Sequence, residues 1–274
     1  NPIYDSNDQL LFHPRKLIKI TGNDYPVTAY LDYSQIELRF QGIYTILVNS
    51  GDVNLCRAYM PFHCIERDGK WYLEEDPSKE WVPTDLHSLT TKMAFGVDEN
   101  HPDWKKLRKM GKQTNFACNY GANVPKLVSA MYFEPRVAEK LYKAYLNAFP
   151  GVRAYRNYVQ RLLAVFPYGE NLFGRKYYGS NAHKVSNYLV QGSAADFLKD
   201  KIIEIDAFLL SYKSRFQMNI HDELSFEIHK DEMHLIPKLK QIMEDLPETK
   251  VPIVADMEIT YTTWDEKEDY ELTT

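Results

Sequence analysis

Two aspartates stand where a carboxylate is better suited to chemistry than to folding. In "AYLDYSQIELRF", Asp32 follows the apolar run Ala29, Tyr30 and Leu31, where another apolar residue would extend a buried strand. A lone buried carboxylate is costly unless a positive charge compensates it. Far downstream, "FQMNIHDELSFEIH" alternates well enough for a hairpin whose turn falls at His221-Asp222. Both aspartates therefore end strands, and one sheet would bring them together. Converging carboxylates suit Mg²⁺, which takes oxygen ligands. Two such ions about 4 Å apart activate an attacking hydroxyl and stabilise a leaving pyrophosphate. Plainer uses exist, Asp32 as a helix N-cap and Asp222 as a turn residue, and the pair alone leaves both readings open.

A second constellation lies in "RKMGKQTNFACNYG", where Arg108, Lys112, Phe116 and Tyr120 recur every four residues. A step of four drifts by only about 40° around a helix, so two cations and then two rings form one slanted stripe. A helix packed on a core would want aliphatics there. The mixed face suits a ligand with an anionic end and a flat end, such as a nucleoside triphosphate. Arginine offers phosphate a bidentate fork and lysine a point charge. The alternative is a solvated basic face with a short aromatic patch.

The elements that would position these residues can be read along the chain. A strand is expected over 26–33 and a helix over 35–48. Asp68-Gly69, between β-prone flanks, marks a hairpin. "PTDLHSLTTKMAFG" reads as a capped helix ending at Gly96. Helices follow over 102–120, 135–148 and 151–165, with Pro150-Gly151 between the last two. "NLFGRKYY" reads as a strand or loop edge. A long helix over 184–210, the hairpin at 221–222, a helix over 231–245 and a strand over 252–261 close the chain. Residues 1–24 read as an irregular arm. No internal repeat or low-complexity linker interrupts this α+β pattern.

The whole-chain properties set limits. At 274 residues, 44% hydrophobic and 26% charged, the chain can bury a proper core. A net charge of −5 argues against indiscriminate nucleic-acid binding and leaves room for a local basic groove. Three cysteines, Cys56, Cys64 and Cys118, make no disulfide framework and no CxxC zinc pair. The expectation is a reduced, cytoplasmic-type compartment, with no signal peptide and no membrane-spanning run of about 18 apolar residues. Among twenty tyrosines, most are expected as half-buried anchors and some as stacking partners for bases.

"DYSQIELR", "RKMGKQTNFACNYG" and "IHDE" resemble, in order, the three signature motifs of the family A, polymerase-I-like DNA polymerases. "GDVNL", "DLHSLTTKMAFG", "LFGRK" and "NYLVQGSAADFLK" resemble further family segments, so the likeness covers roughly Leu31 to Asp265. It implies a right-hand palm, an antiparallel sheet, with helical fingers. The expected boundaries are an arm and first palm strand over 1–31, palm over 32–60, a hairpin insertion over 61–84, fingers over 85–180 and palm again over 181–274. The implied activity is template-directed addition of deoxynucleotides to a primer 3′ end by two-metal-ion transfer, with Mg²⁺ or, in its place, Mn²⁺.

Site roles follow from the same resemblance. Asp32, Asp222 and the backbone carbonyl of Tyr33 would hold metal, and Asp32, Asp222, Glu223 and Lys112 would form the catalytic set. Arg108, Lys112 and His87 would grip the triphosphate, and Phe116 would pack on the sugar, where a phenylalanine implies discrimination against dideoxynucleotides. Tyr120 would lie beside the nascent pair, with Gln35 also near the nucleotide. Glu37 would be the steric gate against a ribose 2′-hydroxyl. Asn187, Gln191, His221 and Arg175 would contact primer–template DNA. Asparagine and glutamine can donate to minor-groove acceptors without selecting a sequence.

Some positions depart from the family pattern. His183 falls where the family commonly has an arginine, one turn before Asn187. The stretch carrying the Asp68-Gly69 hairpin, with His63 and Cys64, is longer than usual and reads as decoration. Only about thirty residues precede Asp32, so a thumb and a 3′–5′ exonuclease are expected from a separate chain or a missing segment, as in a split phage polymerase acting in bacterial host cytoplasm. Two rival readings remain, a single-subunit RNA polymerase and an inactive palm–fingers binding module. Glu37, Phe116 and "HDE" favour DNA synthesis over the first; the joint presence of Asp32, Asp222, Arg108 and Lys112 argues against the second.

Overall fold

The computed structural model describes residues 3–4, 10–12, 14–48, 51–247 and 249–270. In chain order it contains β1 (Ile3–Tyr4), β2 (Leu10–Phe12), β3 (Val27–Tyr33), α1 (Ile36–Val48), α2 (Val53–Cys56), β4 (Cys64–Arg67), β5 (Lys70–Leu73) and β6 (Asp76–Glu80). There follow α3 (Leu86–Phe95), α4 (Trp104–Asn119), α5 (Val124–Met131), α6 (Pro135–Ala148), α7 (Pro150–Leu163), β7 (Tyr168–Glu170) and β8 (Lys176–Tyr178). The chain ends with α8 (Ala182–Leu209), β9 (Arg215–Ile220), β10 (Glu223–Ile228), α9 (Ile236–Glu244), β11 (Ala255–Thr260) and β12 (Glu268–Asp269). Two units emerge: Asn1–Ile36 with Asp196–Pro247 and Ile253–Thr274, and Glu37–Ala195 with Glu248–Pro252.

The first unit is built on a five-stranded antiparallel sheet in the order β12-β11-β3-β10-β9. β3 is central and β-rich in type, "VTAYLDY", and every residue but Asp32 is buried. It pairs on one side with β10 and on the other with β11, so the middle of the sheet joins three distant segments of sequence. Leu31, Leu224 and Phe226 are fully buried, which fixes the register, because a one-residue slip would turn these side chains to the opposite face. The expected irregular arm is only partly described, since residues 1–2, 5–9 and 13 lie outside the described set. Its described part is more ordered than expected. β1 pairs with β2, and Ile20 N and Trp264 N donate to Thr262 O and Ile18 O at 3.2 and 3.0 Å.

The second unit is mainly helical. Its core joins Leu55, Leu86, Cys118, Leu127, Leu141, Tyr145 and Val152 from six helices. α3 begins at Asp85, whose carboxylate accepts from His87 N and Ser88 N, and ends at Gly96 in a left-handed C-cap. The hairpin at Asp68-Gly69 forms as β4–β5, and a third strand, β6, extends it. Arg57 anchors this insertion, with Glu75 accepting two hydrogen bonds at 2.5 and 2.7 Å and the Phe62 and His63 carbonyls accepting two more. No described helix is long and apolar enough to cross a membrane.

Candidate functional site

The two aspartates do meet at one end of the sheet. Glu223 is the register partner of Asp32 across β3–β10, and Tyr33 N donates to Asp222 O at 3.3 Å. The turn that presents Asp222 is a two-residue connection, His221-Asp222, between paired Ile220 and Glu223. His221 takes φ 60°, in the left-handed region such tight turns require. Asn219 Nδ2 braces the turn by donating to His221 O and Glu223 O at 3.0 and 3.3 Å. Gln35, just beyond Asp32, is also left-handed at φ 55°. Tyr33 is locked below by its hydroxyl, which donates to Met243 O at 2.9 Å.

Charge is unbalanced here. The Asp32 side chain reaches solvent, yet the surrounding strands withdraw part of its hydration. That desolvation, then the Asp222 and Glu223 carboxylates, push its carboxyl up to about 6, with Lys267 only partly offsetting them. Asp256 on β11 faces Asp32 in register and adds to the repulsion. Glu223 is held by Lys267, which also pairs with Glu258 at 3.0 Å, while Glu223 Oε1 is buried without a hydrogen-bond partner among the described residues. The donor set is all oxygen with negative charge in excess, which fits a hard divalent cation. Among the described residues, no three histidine, cysteine, aspartate or glutamate side chains are grouped closely enough to hold an ion unaided. Asp32 and Asp222 are two oxygen-donor side chains at one end of this sheet.

The stripe runs along one edge of α4 to its C-cap residue, Tyr120. Lys112, Phe116 and Tyr120 are exposed and Arg108 is half-buried, while Gly111, Thr114, Asn115, Ala117 and Cys118 turn inward. His87 from α3 joins it, with its ring centroid 5.5 Å from that of Phe116. Lys112 Nζ lies 5.8 Å from the same ring. Gly111 permits this closeness, because a Cβ there would stand 2.2 Å from Thr91 Oγ1 and 2.9 Å from His87 O.

Arg108 is already paired, donating to Asp85 Oδ2 at 2.8 and 3.1 Å and to Ser88 Oγ at 3.1 Å. Burial pushes the Asp85 carboxyl up, but the Ser88 N–H and hydroxyl and the Arg108 guanidinium outweigh it and hold it at about 2. Burial likewise lowers His87, with Arg108 and Lys112 adding to the effect against Asp85. The tautomer follows from Asn115. Its Nδ2 donates to Leu86 O at 2.9 Å and its Oδ1 accepts from Thr90 Oγ1 at 2.8 Å, which fixes the amide orientation. Nδ2 then lies 3.2 Å from His87 Nδ1. That ring nitrogen must accept, leaving Nε2 as the protonated donor.

Glu37, in the first turn of α1, accepts from Gln191 Nε2 at 3.5 Å, and Asn187 Nδ2 donates to Gln191 Oε1 at 3.4 Å, so these three form one polar chain. Arg175 ends the turn between β7 and β8, where Asn171 Oδ1 accepts from Phe173 N and Arg175 N at 3.0 and 2.8 Å. Sequence reasoning overlooked Asp256, Lys267, Asp85 and Asn115. Asp85 had a visible signal as the N-cap of an expected helix; the others depend on register and packing.

The family model for DNA polymerase family A matches residues 9–266. DNA polymerase I of Streptococcus pneumoniae is 29% identical over 241 residues, covering 82% of this chain and 24% of that protein. The thermostable DNA polymerase I of Thermus filiformis is 30% identical over 243 residues, covering 82% and 26%. The chain thus spans about a quarter of the length of these relatives. The POL domain of Pol1 from M. smegmatis, solved in complex with DNA primer-template and dNTP, superposes with a TM-score of 0.72 at 24% identity, covering 92% of this chain and 42% of that one. Its likeness is one of fold: mixed helix with an antiparallel sheet. With a family model matched over nearly its whole length, this chain belongs to DNA polymerase family A.

Proposed function

We propose that this chain performs template-directed DNA synthesis, adding deoxynucleotides to a primer 3′ end. The observation that carries the proposal is the convergence of Asp32 and Asp222 where β3 meets the β9–β10 turn, with Asp32 raised by its like-charged neighbours. Asp32, Asp222 and the Tyr33 carbonyl would hold divalent cations, of which Mg²⁺ is the physiological choice for oxygen-only ligands. When bound, the metal supplies neutralisation of charge developing on the transferred phosphoryl group.

The chain's own residues supply positioning. Lys112 and the Nε2–H of neutral His87 would meet phosphate oxygens. Arg108 would do so by sharing or exchanging its hold on Asp85. Exposed Phe116 would carry the sugar, and exposed Tyr120 would stand beside the nascent pair. Glu37, steadied by Gln191, would fill the space of a 2′-hydroxyl, and Asn187 and Gln191 would reach the minor groove. Glu223, tied to Lys267, would orient the turn bearing Asp222. In this reading residues 32–60 and 181–274 form palm and 85–180 fingers. The duplex grip of a thumb and a 3′–5′ exonuclease would come from another chain or another part of a longer protein.

Primer extension tests this directly. With Mg²⁺ and dNTPs the chain should copy template, with rNTPs it should not, and chelation should stop synthesis. Template copying with rNTPs in preference to dNTPs would overturn the reading in favour of RNA synthesis. Primer–template binding without extension in either case would make the chain a binding module.

A further inference from the structure

The second unit holds a basic cavity to which the polymerase reading gives no role. It measures about 380 Å³ and is lined in part by Arg153, Arg156, Asn157 and Gln160 of α7 with Asn181 and His183 at the start of α8. Arg156 is the key residue. It is only 8% exposed, and its Nη2 donates to Cys118 O. Its Nη1 is buried with no hydrogen-bond partner among the described residues. Among the described residues neither Arg153 nor Arg156 forms an ion pair, and the Arg156 guanidinium lies 5.7 Å from the centroid of the Tyr145 ring. A buried charge ordinarily requires a counter-charge and a full set of hydrogen bonds. Among the described residues neither a counter-charge nor a full set is present, and Arg156 lines the cavity.

The start of α8 points to the same sign of ligand. Asn181 caps it, with Lys184 N donating to Asn181 Oδ1 at 3.1 Å and Val185 N to Asn181 O at 3.0 Å. The N–H groups of Ala182 and His183 are ones a helix cannot satisfy internally. α8 runs 28 residues, and the first turn of a helix carries partial positive charge that favours anions. Asn157 and Gln160 add neutral donors able to complete a shell around an oxyanion. Among the described residues nothing acidic lines the cavity.

We infer that the cavity between α7 and the first turn of α8 binds a phosphate group, held by Arg156, Arg153 and the α8 N-terminus. A fork-shaped guanidinium paired with helix N–H donors matches a tetrahedral oxyanion better than it matches a carboxylate side chain. The same chemistry fits a free anion, inorganic phosphate or pyrophosphate, and a phosphate of a nucleic-acid strand. The inference does not depend on Asp32, Asp222 or the α4 stripe.

The test is equilibrium binding to the whole chain in a phosphate-free buffer at constant ionic strength. Three probes are titrated separately: inorganic phosphate, pyrophosphate and a single-stranded oligonucleotide. Arg153→Gln removes an exposed charge without opening the core, and Arg156→Met removes the buried one at similar length. At least one probe should bind, and each substitution should weaken it about tenfold, as loss of one charged hydrogen bond does. Lys126→Gln, outside the cavity, should leave it unchanged. Saturation by inorganic phosphate or pyrophosphate would identify a free anion; response to the oligonucleotide alone would identify a strand phosphate. If Arg156→Met fails to fold, Arg153→Gln decides. No binding by any probe, or binding that neither substitution weakens, overturns the proposal.

Discussion

The carboxylate end of the sheet and the α3–α4 stripe handle charge in opposite ways. In the sheet, Asp32, Asp222, Glu223 and Asp256 crowd together, and Lys267 answers only part of their charge. On α3–α4 the positive charge is tempered in advance: Arg108 is paired with Asp85, and His87 is kept neutral by burial and by the cations beside it. A cation arriving at the sheet relieves repulsion that already exists. An anion arriving at the stripe would have to share Arg108 with Asp85, whereas Lys112 and His87 would need no such exchange. The first region is a charge deficit built into the fold; the second is a cation store that folding has partly spent on capping α3.

If that contrast is right, removing charge at the sheet should have the largest effect. Asp32→Asn or Asp222→Asn should lower primer extension by about a thousandfold or more, on the order of 4 kcal/mol of transition-state stabilisation, while leaving primer–template affinity within a few-fold. Near wild-type extension by either variant with Mg²⁺ would remove the metal assignment. Next comes the stripe. Lys112→Ala should reduce kcat/KM for dNTP by about tenfold to a hundredfold, and Arg108→Ala by less, because part of what Arg108 gives to phosphate is offset by what Asp85 loses. Steady-state kinetics on both variants decide; a larger loss at Arg108 would show that the Asp85 pair opens at little cost.

Smaller effects probe selectivity and stability. Glu37→Ala should admit ribonucleotides, and the measured ratio of rNTP to dNTP incorporation should rise about tenfold or more, since the gate is a steric exclusion. An unchanged ratio would remove the gate. Asp32→Asn should also stabilise the fold without divalent ions. In the unfolded chain Asp32 titrates near 3.9, whereas in the fold it is raised to about 6. The folded state thus holds this proton more tightly. Its ionisation costs nothing below about pH 4, costs progressively more from 4 to 6, and costs the full amount above 6. Discounted for solvent exposure, the gain from the amide is about 1 kcal/mol, or roughly 2 °C in Tm. Thermal melts at pH 4 and pH 7 should show the gain only at the higher value.

Local signals carried much of this architecture into the sequence. Apolar run, aspartate and helical period located β3 and α1, and alternation around His221-Asp222 located the β9–β10 hairpin. The four-residue recurrence from Arg108 to Tyr120 survives as one edge of α4 and its C-cap, exposed from Lys112 onward. What escaped depends on pairing or on misleading punctuation. α5, for which no element was expected, follows an Asn123 cap and carries Pro125 in its first turn, where proline is well tolerated. β6, "DPSKE", has no apolar alternation because almost all of it is exposed, and its Pro77 sits on an edge strand. Pro150-Gly151 reads as a boundary, yet both residues open α7, where Gly151 N donates to buried Asp52 Oδ2 at 2.7 Å. Asp256 and Lys267 show their importance only once β11 and the chain's end are laid beside β3 and β10.

The central claim is that the sheet end is a deficit of positive charge awaiting a divalent cation, and the titration of Asp32 itself tests it most directly. Carboxyl-carbon NMR of the labelled chain, followed from pH 3 to 8 with and without Mg²⁺, reports that group once its signal is assigned by its loss in Asp32→Asn. The account predicts a midpoint of about 6 without the ion and a clear fall when Mg²⁺ is added, with Asp222→Asn lowering the metal-free midpoint because one repelling neighbour is gone. A midpoint near the ordinary aspartate value, unmoved by Mg²⁺ and by Asp222→Asn, would contradict it.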